Sequence, residues 1–81
     1  MTFNQAFSIR VRELLKEKHL TQYKLESLTG IHHSTMSAIL NNRVKISNFK
    51  NIAIIIMALD MSLSEFFDHP LFDFENIDLD S

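Results

Sequence analysis

The amino-acid sequence predicts an all-α fold of five helices. Apolar residues recur at helical spacing almost throughout the 81 residues, as they do on the buried face of a helix. Only one glycine and one proline interrupt this pattern, and no low-complexity stretch indicates a linker. Two capping-box patterns mark helix starts. We therefore expect one small domain of packed helices.

The first helix is predicted near residues 3–18. Thr2 is followed three residues later by Gln5, and this pair is a capping box at the start of the helix. Residues three or four positions apart share one helix face, which we expect to be buried. The apolar residues of this face are Phe7, Val11, Leu14 and Leu15.

Two short helices are predicted next, separated by a turn of about three residues. Thr21 is a good N-cap for the second helix, and Gly30 ends it because glycine tolerates a left-handed backbone. The third helix lies near 33–40, where Asn41 and Asn42 close it with residues that accept turn geometry. The predicted core positions of the two helices are Leu25, Leu28, Met36, Ile39 and Leu40.

Serines are the predicted caps of the last two helices. Ser47 caps a fourth helix near 48–58, and Ser62 forms the second capping box with Glu65. Pro70 must end the fifth helix because proline has no backbone N–H. The fourth helix has an unusually wide apolar stripe. Its members are Phe49, Ile52, Ala53, Ile55, Ile56 and Leu59.

The composition excludes several classes of protein. The chain has no cysteine, which excludes disulfides, thiolate metal sites and cysteine nucleophiles. No apolar run approaches the roughly 18 residues of a membrane span, and the N-terminus lacks the basic start of a secretory signal. We therefore expect a cytoplasmic protein without a membrane partner. No nucleophile, base and orienting group form a recognisable set, so we expect neither an enzyme nor a cofactor.

The charges are unevenly distributed along the chain. The net charge is −2, yet all eight Lys and Arg lie between Arg10 and Lys50. Four of the ten acidic residues lie in the last nine positions. Residues 1–72 therefore carry eight basic and six acidic side chains. An acidic tail follows a mildly basic body.

Three segments between positions 20 and 39 read LTQYKL, LTGI and STMSAI. They resemble the helix-turn-helix of the Cro and lambda-repressor-like family, also called the XRE family. Residues 47–59 and 61–67 look like the fourth and fifth helices of that family, so the resemblance covers 7–67. It implies a five-helix lambda-repressor-like DNA-binding domain with the helix-turn-helix at helices two and three.

The departures from the family pattern are informative. Leu15 and Leu40 replace an Arg and a Glu that many members pair, and exchanging a whole buried ion pair for apolar residues can be neutral or stabilising. Glu26 stands where the family favours a small residue, and nothing in the sequence explains it. Elsewhere residue types enriched at positive φ replace the usual glycines. These replacements are His19, Asn42 and Asp60.

The resemblance implies that exposed side chains near the start of the third helix read base edges in the major groove. Histidine can donate to guanine, serine can donate or accept, and the alanine methyl can contact a thymine methyl. None of these side chains is a long Arg, Gln or Asn, so we expect modest sequence discrimination. The candidate reading residues are His32, His33, Ser34, Ser37 and Ala38.

Phosphate contacts are expected on both sides of the reading helix. The candidates are Gln22 at the start of helix two, and Asn41, Arg43 and Lys45 after helix three. The alternative is that the cations are ordinary surface charges. Further phosphate candidates are Arg10, Arg12 and Lys24.

A metal pair is the alternative for the two adjacent histidines. Adjacent residues on a helix point about 100° apart, and no third ligand is near in the sequence. We therefore expect no metal site.

Surplus apolar residues suggest an interface. Ile54 and Met57 lie three apart on helix four, where the resembling family usually has polar residues. Such residues favour a homodimer that reads two half-sites, since helix-turn-helix proteins commonly bind DNA as two-fold dimers. Phe67 and Phe72 complete the expected dimer interface.

We expect two parts, a helix-turn-helix DNA-binding domain at 1–69 and an acidic, partly apolar C-terminal tail at 70–81. Partial alternation of phenylalanine with acidic residues at 71–79 favours an extended segment. The tail is expected to pack on the dimer or a protein partner, to fray, or to compete with DNA for the basic face.

The leading interpretation is a sequence-specific transcriptional regulator, a repressor that binds a palindromic operator in double-stranded DNA as a dimer. One alternative is an antitoxin of a toxin-antitoxin pair, which autoregulates its operon and binds a toxin through its C-terminal part. Another is a protein-binding scaffold that kept the fold without binding DNA. The negative net charge and the short reading side chains favour the scaffold.

Overall fold

The computed structural model describes residues 1–44 and 48–79, and within them the protein consists of five α-helices and two short 3₁₀ helices, without a strand. The all-α, five-helix prediction is therefore confirmed. The helices are α1 (Phe3–Glu17), α2 (Gln22–Thr29), α3 (His33–Leu40), α4 (Phe49–Ala58) and α5 (Leu63–Phe67), followed by 3₁₀ helices at Pro70–Phe72 and Phe74–Asn76.

The helix starts follow the predicted caps, with one correction. Both capping boxes form, at Thr2 and at Ser62, and the Thr21 hydroxyl accepts a hydrogen bond from the backbone of α2. The predicted N-cap of α4 was wrong, since Asn48 caps that helix and accepts from the Lys50 N–H at 2.9 Å. Ser47 lies outside the described residues. Asparagine caps a helix as well as serine does, so the helix starts one residue later than predicted.

Three helices end in a left-handed residue that is not glycine. His19, Asn42 and Asp60 have φ angles of 56°, 57° and 59°. Around each of them the backbone forms a Schellman turn, in which the N–H that follows the left-handed residue donates to the carbonyl group five positions earlier. After α3, for example, the Arg43 N–H donates to Ala38 O at 2.8 Å. The expectation that these residue types keep the backbone geometry of glycine is confirmed.

Replacing His19 with glycine is expected to raise the free energy of unfolding by about 0.5–1 kcal/mol. The steric cost of a left-handed L-residue, roughly 1–2 kcal/mol, exceeds the extra entropy that glycine loses on folding. Urea denaturation measures the change. Lys18→Gly is the matched control, because Lys18 has φ −90° and glycine should destabilise the protein there. Equal effects of the two substitutions would contradict the argument.

The core joins all five helices. Phe7, Leu25, Met36 and Phe66 are fully buried and come from α1, α2, α3 and α5, and α4 adds Ile52, Ile55 and Ile56. The Leu15 and Leu40 side chains are both buried in this cluster, as expected for an apolar replacement of a buried ion pair.

One predicted core residue, Leu28, and one member of the apolar stripe of α4, Phe49, lie on the surface. Leu28 is 50% exposed and Phe49 is 61% exposed. Periodicity shows which residues share a helix face, but it does not show how far along the helix a packing partner extends. In α2 only Leu25 is buried.

An aromatic cluster closes the molecule where the two chain ends meet. Neighbouring rings have centroids 4.8–6.3 Å apart, at distances where aromatic pairs attract each other. Phe66 lies inside the cluster, 5.3 Å from Phe7 and 4.9 Å from Phe67. The members are Phe3, Phe7, Phe66, Phe67 and Phe72.

The C-terminal strap, residues 70–79, folds back against α1. The prediction of an extended segment was wrong, because Pro70 and the His69 cap start a 3₁₀ helix that brings Phe72 into the aromatic cluster. The N-terminal ammonium group donates to Asn76 O at 3.0 Å, and the Asp78 N–H donates to Met1 O at 2.7 Å. These tertiary contacts outweigh the partial alternation in the sequence.

Candidate nucleic-acid interface

The α2–α3 corner has the predicted tight turn. Gly30 has φ +74° and its N–H donates to Glu26 O at 2.9 Å. Nothing lies within 4 Å of the position that a Cβ would take, so the left-handed backbone alone favours glycine. The Thr29 hydroxyl accepts from Ile31 N at 3.1 Å and closes the turn. The start of α3 is thereby held beside α2.

His32 is the N-cap of α3. Its Nδ1 atom accepts a hydrogen bond from the Ser34 N–H at 3.2 Å and lies 2.9 Å from the Ser34 hydroxyl. The ring therefore replaces one of the hydrogen bonds that a helix start lacks. Both side chains are exposed, as a reading position requires.

Glu26, unexplained in the sequence, connects α2 to α3. One carboxylate oxygen, Oε2, accepts from Gln22 Nε2 at 2.9 Å and lies 2.8 Å from His33 Nδ1. The Glu26 side chain is 12% exposed, whereas that of His33 is 74% exposed. The hydrogen bond from Gln22 is the main cause that holds the Glu26 pKa below its ordinary value, and His33 lowers it further. The carboxylate is therefore ionised at neutral pH, and both of its side-chain partners lie within the α2–α3 corner.

The C-terminal end of α3 carries a second polar network. The Ser37 hydroxyl accepts from Asn41 Nδ2 at 3.1 Å and from Arg43 Nη2 at 2.9 Å. Arg12 donates to Asn41 Oδ1 at 2.7 Å and to Leu40 O at 3.0 Å, which links α1 to this end of α3. The structure thus brings these candidate contact residues together at the C-terminal end of α3.

The candidate residues divide into groups by their place in the fold. Ala38 is half-buried on α3, and Lys45 lies outside the described residues. The Gln22 amide is engaged with Glu26, which leaves its backbone as the contact nearest the start of α2. Arg10 lies elsewhere, since it donates to Phe66 O at 3.0 Å and its guanidinium carbon is 5.7 Å from the centre of the Phe66 ring. These contacts join α1 to α5, so the role of Arg10 in them is structural.

Sequence reasoning missed one part of this surface. A groove of about 380 Å³ separates the α2–α3 turn from the start of α4. His32 and Thr35 line one side, and Asn48, Lys50 and Asn51 line the other. No signal along the chain connects residues 48–51 with α3, because only the packing of α4 against α2 places them there.

A family model described as the Cro/C1-type HTH DNA-binding domain matches residues 10–71. The chain belongs to this family. Comparisons with curated proteins and with solved structures gave no significant match. The Cro/C1-type assignment confirms the resemblance found in the sequence and makes the protein a DNA-binding transcription regulator of the helix-turn-helix class.

Domains of this family are typically not enzymes. Within the described stretches, no three His, Asp or Glu side chains are grouped to hold a metal ion. No helix among residues 1–44 and 48–79 is both long and apolar enough to cross a membrane.

Proposed function

We propose that this Cro/C1-type protein is a repressor that binds a palindromic operator as a homodimer. The observation that carries the proposal is the exposed start of α3, where His32, His33 and Ser34 face solvent and His33 contacts Glu26 of α2. A helix in the major groove presents its N-terminal side chains to base edges. Occupation of a promoter by such a domain blocks polymerase without any further chemistry, in the cytoplasm where the DNA is.

The phosphate contacts supply most of the affinity in this proposal. Exposed cations flank α3, with Lys24 on α2, Arg43 after α3 and Lys50 on α4. Asn41 and the backbone N–H groups at the start of α2, next to Gln22, add uncharged donors. Residues 1–69 form the DNA-binding part, and the acidic residues of 70–81 belong to an accessory segment.

The experiment that tests the function is selection from a random pool of DNA duplexes. We expect enrichment of one palindromic sequence, and we expect His33→Ala to lose preference at one position in each half-site while still binding. His69→Ala is the control, because that ring interacts with Glu13 and the strap. No enrichment of any sequence by the wild-type protein would overturn the proposal.

The dimer interface centres on α4. Met57 is 71% exposed, the largest exposed fraction of any apolar side chain on that helix among the described residues. Ile54 is half-buried and lines the groove, so it supports the interface less directly. Phe67 and Phe72 pack on each other within one chain, with centroids 4.8 Å apart, and their burial needs no partner.

Met57→Lys is expected to convert a dimer into a monomer, because the substitution puts a charge into an apolar contact. Lysine is compatible with the last turn of a helix, so the fold should persist. Sedimentation equilibrium measures the mass. Ile9→Lys, at a 39% exposed position on α1, is the matched control and should stay dimeric. A wild-type mass equal to the monomer at all concentrations would contradict the dimer.

One observation favours the antitoxin as a second candidate. Phe74 and Leu79 on the strap are 81% and 75% exposed, next to acidic residues. An apolar and acidic surface of this kind is suited to a basic protein partner. Neutralisation of the toxicity of a neighbouring gene product, lost in a Phe74→Ala/Leu79→Ala variant that still binds DNA, would support it. Retained neutralisation would count against the strap as the contact.

A further inference from the structure

The Nδ1 atoms of the two histidines at the start of α3 have opposite roles in hydrogen bonding. His32 Nδ1 accepts from a backbone N–H, that of Ser34, so this nitrogen carries no proton. His33 Nδ1 lies 2.8 Å from a carboxylate oxygen of Glu26, which can only accept, so this nitrogen carries a proton. Because a neutral imidazole has one N–H, the two remaining Nε2 atoms differ. His32 offers an N–H donor, and His33 offers a lone pair.

We propose that Glu26 is a positioning residue for base recognition, which fixes His33 in the Nδ1–H tautomer so that its Nε2 atom accepts a hydrogen bond from a base amino group. In the major groove, adenine N6 and cytosine N4 are the donors of this kind. Guanine and thymine present acceptors to the same atom and are disfavoured. His32, with the opposite tautomer, donates to a guanine acceptor or a phosphate oxygen. This inference rests on the proposed function.

The surroundings of Glu26 suit this role. The carboxylate is 12% exposed and is held by Gln22 from the preceding turn of α2, so its oxygen is fixed before DNA arrives. The hydrogen bonds that lower its pKa keep it ionised. The His33 ring is 74% exposed, which leaves its outer edge accessible. A free carboxylate at a DNA interface would repel phosphate. The contacts of Glu26 with Gln22 and His33 account for the presence of a carboxylate at this place.

The tautomers are measurable in the free protein by imidazole ¹⁵N NMR at pH 8, where a histidine of ordinary pKa, about 6.5, is neutral. We expect His33 to be protonated on Nδ1 and His32 on Nε2. In Glu26→Gln the His33 signals should move towards the mixture shown by exposed His19. His69 is the internal control, because its Nδ1 accepts from Leu71 N at 3.1 Å, a contact that does not involve Glu26. His33 protonated on Nε2 in the wild type, or unchanged in Glu26→Gln, would overturn the inference.

The base preference is measured by DNA selection at the same pH and at fixed salt. We expect adenine or cytosine at the position that His33→Ala makes indifferent. Glu26→Gln should reduce the preference over guanine and thymine by about fivefold, the equivalent of one hydrogen bond. An unchanged preference in Glu26→Gln would overturn this inference alone. A wild-type protein that selects no sequence, with the two tautomers as stated, would overturn the proposed function and with it the role in base recognition.

Discussion

Replacing Phe66 with alanine is expected to lower the free energy of unfolding by about 3–5 kcal/mol. The side chain is fully buried, with four aromatic or cationic neighbours from α1, α5 and the strap, including Phe7 at 5.3 Å and Arg10 at 5.7 Å. The substitution leaves a cavity that these elements share. Because a domain of this size is stable by only about 4–12 kcal/mol, a large part of its stability would be lost.

Urea denaturation followed by circular dichroism measures the loss. Phe74→Ala is the matched control, since this phenylalanine is 81% exposed on the strap and its removal should change the free energy of unfolding by less than about 0.5 kcal/mol. A loss below about 1 kcal/mol for Phe66→Ala would mean that the aromatic cluster does not stabilise the junction of α1, α5 and the strap.

The affinity for a palindromic operator is expected to fall about 10⁴-fold between 50 and 200 mM salt. Four candidate cations in each protomer would neutralise about eight phosphates in a dimer, which corresponds to a logarithmic slope near −7. The four are Lys24, Arg43, Lys50 and Lys45, of which Lys45 lies outside the described residues.

Titration of the complex with salt, with dissociation constants from fluorescence anisotropy, measures the slope. Lys50→Ala should reduce its magnitude by about two, one for each protomer. Lys18→Ala is the control, because this lysine faces Glu65 on α5, where hydrogen bonds from Ser62 are the main cause that lowers the pKa of the carboxyl and Lys18 lowers it further. A slope near zero would be incompatible with phosphate contacts, and equal changes in the two variants would exclude Lys50 as a specific contact.

Local rules were sufficient to predict most of the helices. Thr2 and Ser62 start helices because their hydroxyl groups bond the backbone three residues later. His19 and Gly30 follow helix ends because their types tolerate positive φ. Such interactions involve residues within one turn of each other, so a single sequence contains nearly all the information they need.

The candidate interface was predicted only in part. The sequence pattern predicted α3 as the candidate reading helix, and the turn before it, since both depend on local signals and on the family resemblance. It did not reveal that Glu26 engages His33, seven residues away on the next helix, or that Lys50 borders the same groove as His32. The first relation depends on the packing of α3 against α2, and the second on the packing of α4 against α2.

The sequence alone determined the helices, the caps of α1, α2 and α5, the left-handed helix ends and the place of the helix-turn-helix, because each arises from neighbours along the chain. Only the tertiary structure decided that Leu28 and Phe49 are exposed, that the strap folds onto α1 through Phe72, and that the Nδ1 atoms of His32 and His33 are the ones engaged within the protein. Those properties come from contacts between distant segments, where burial and hydrogen bonding outweigh local preference.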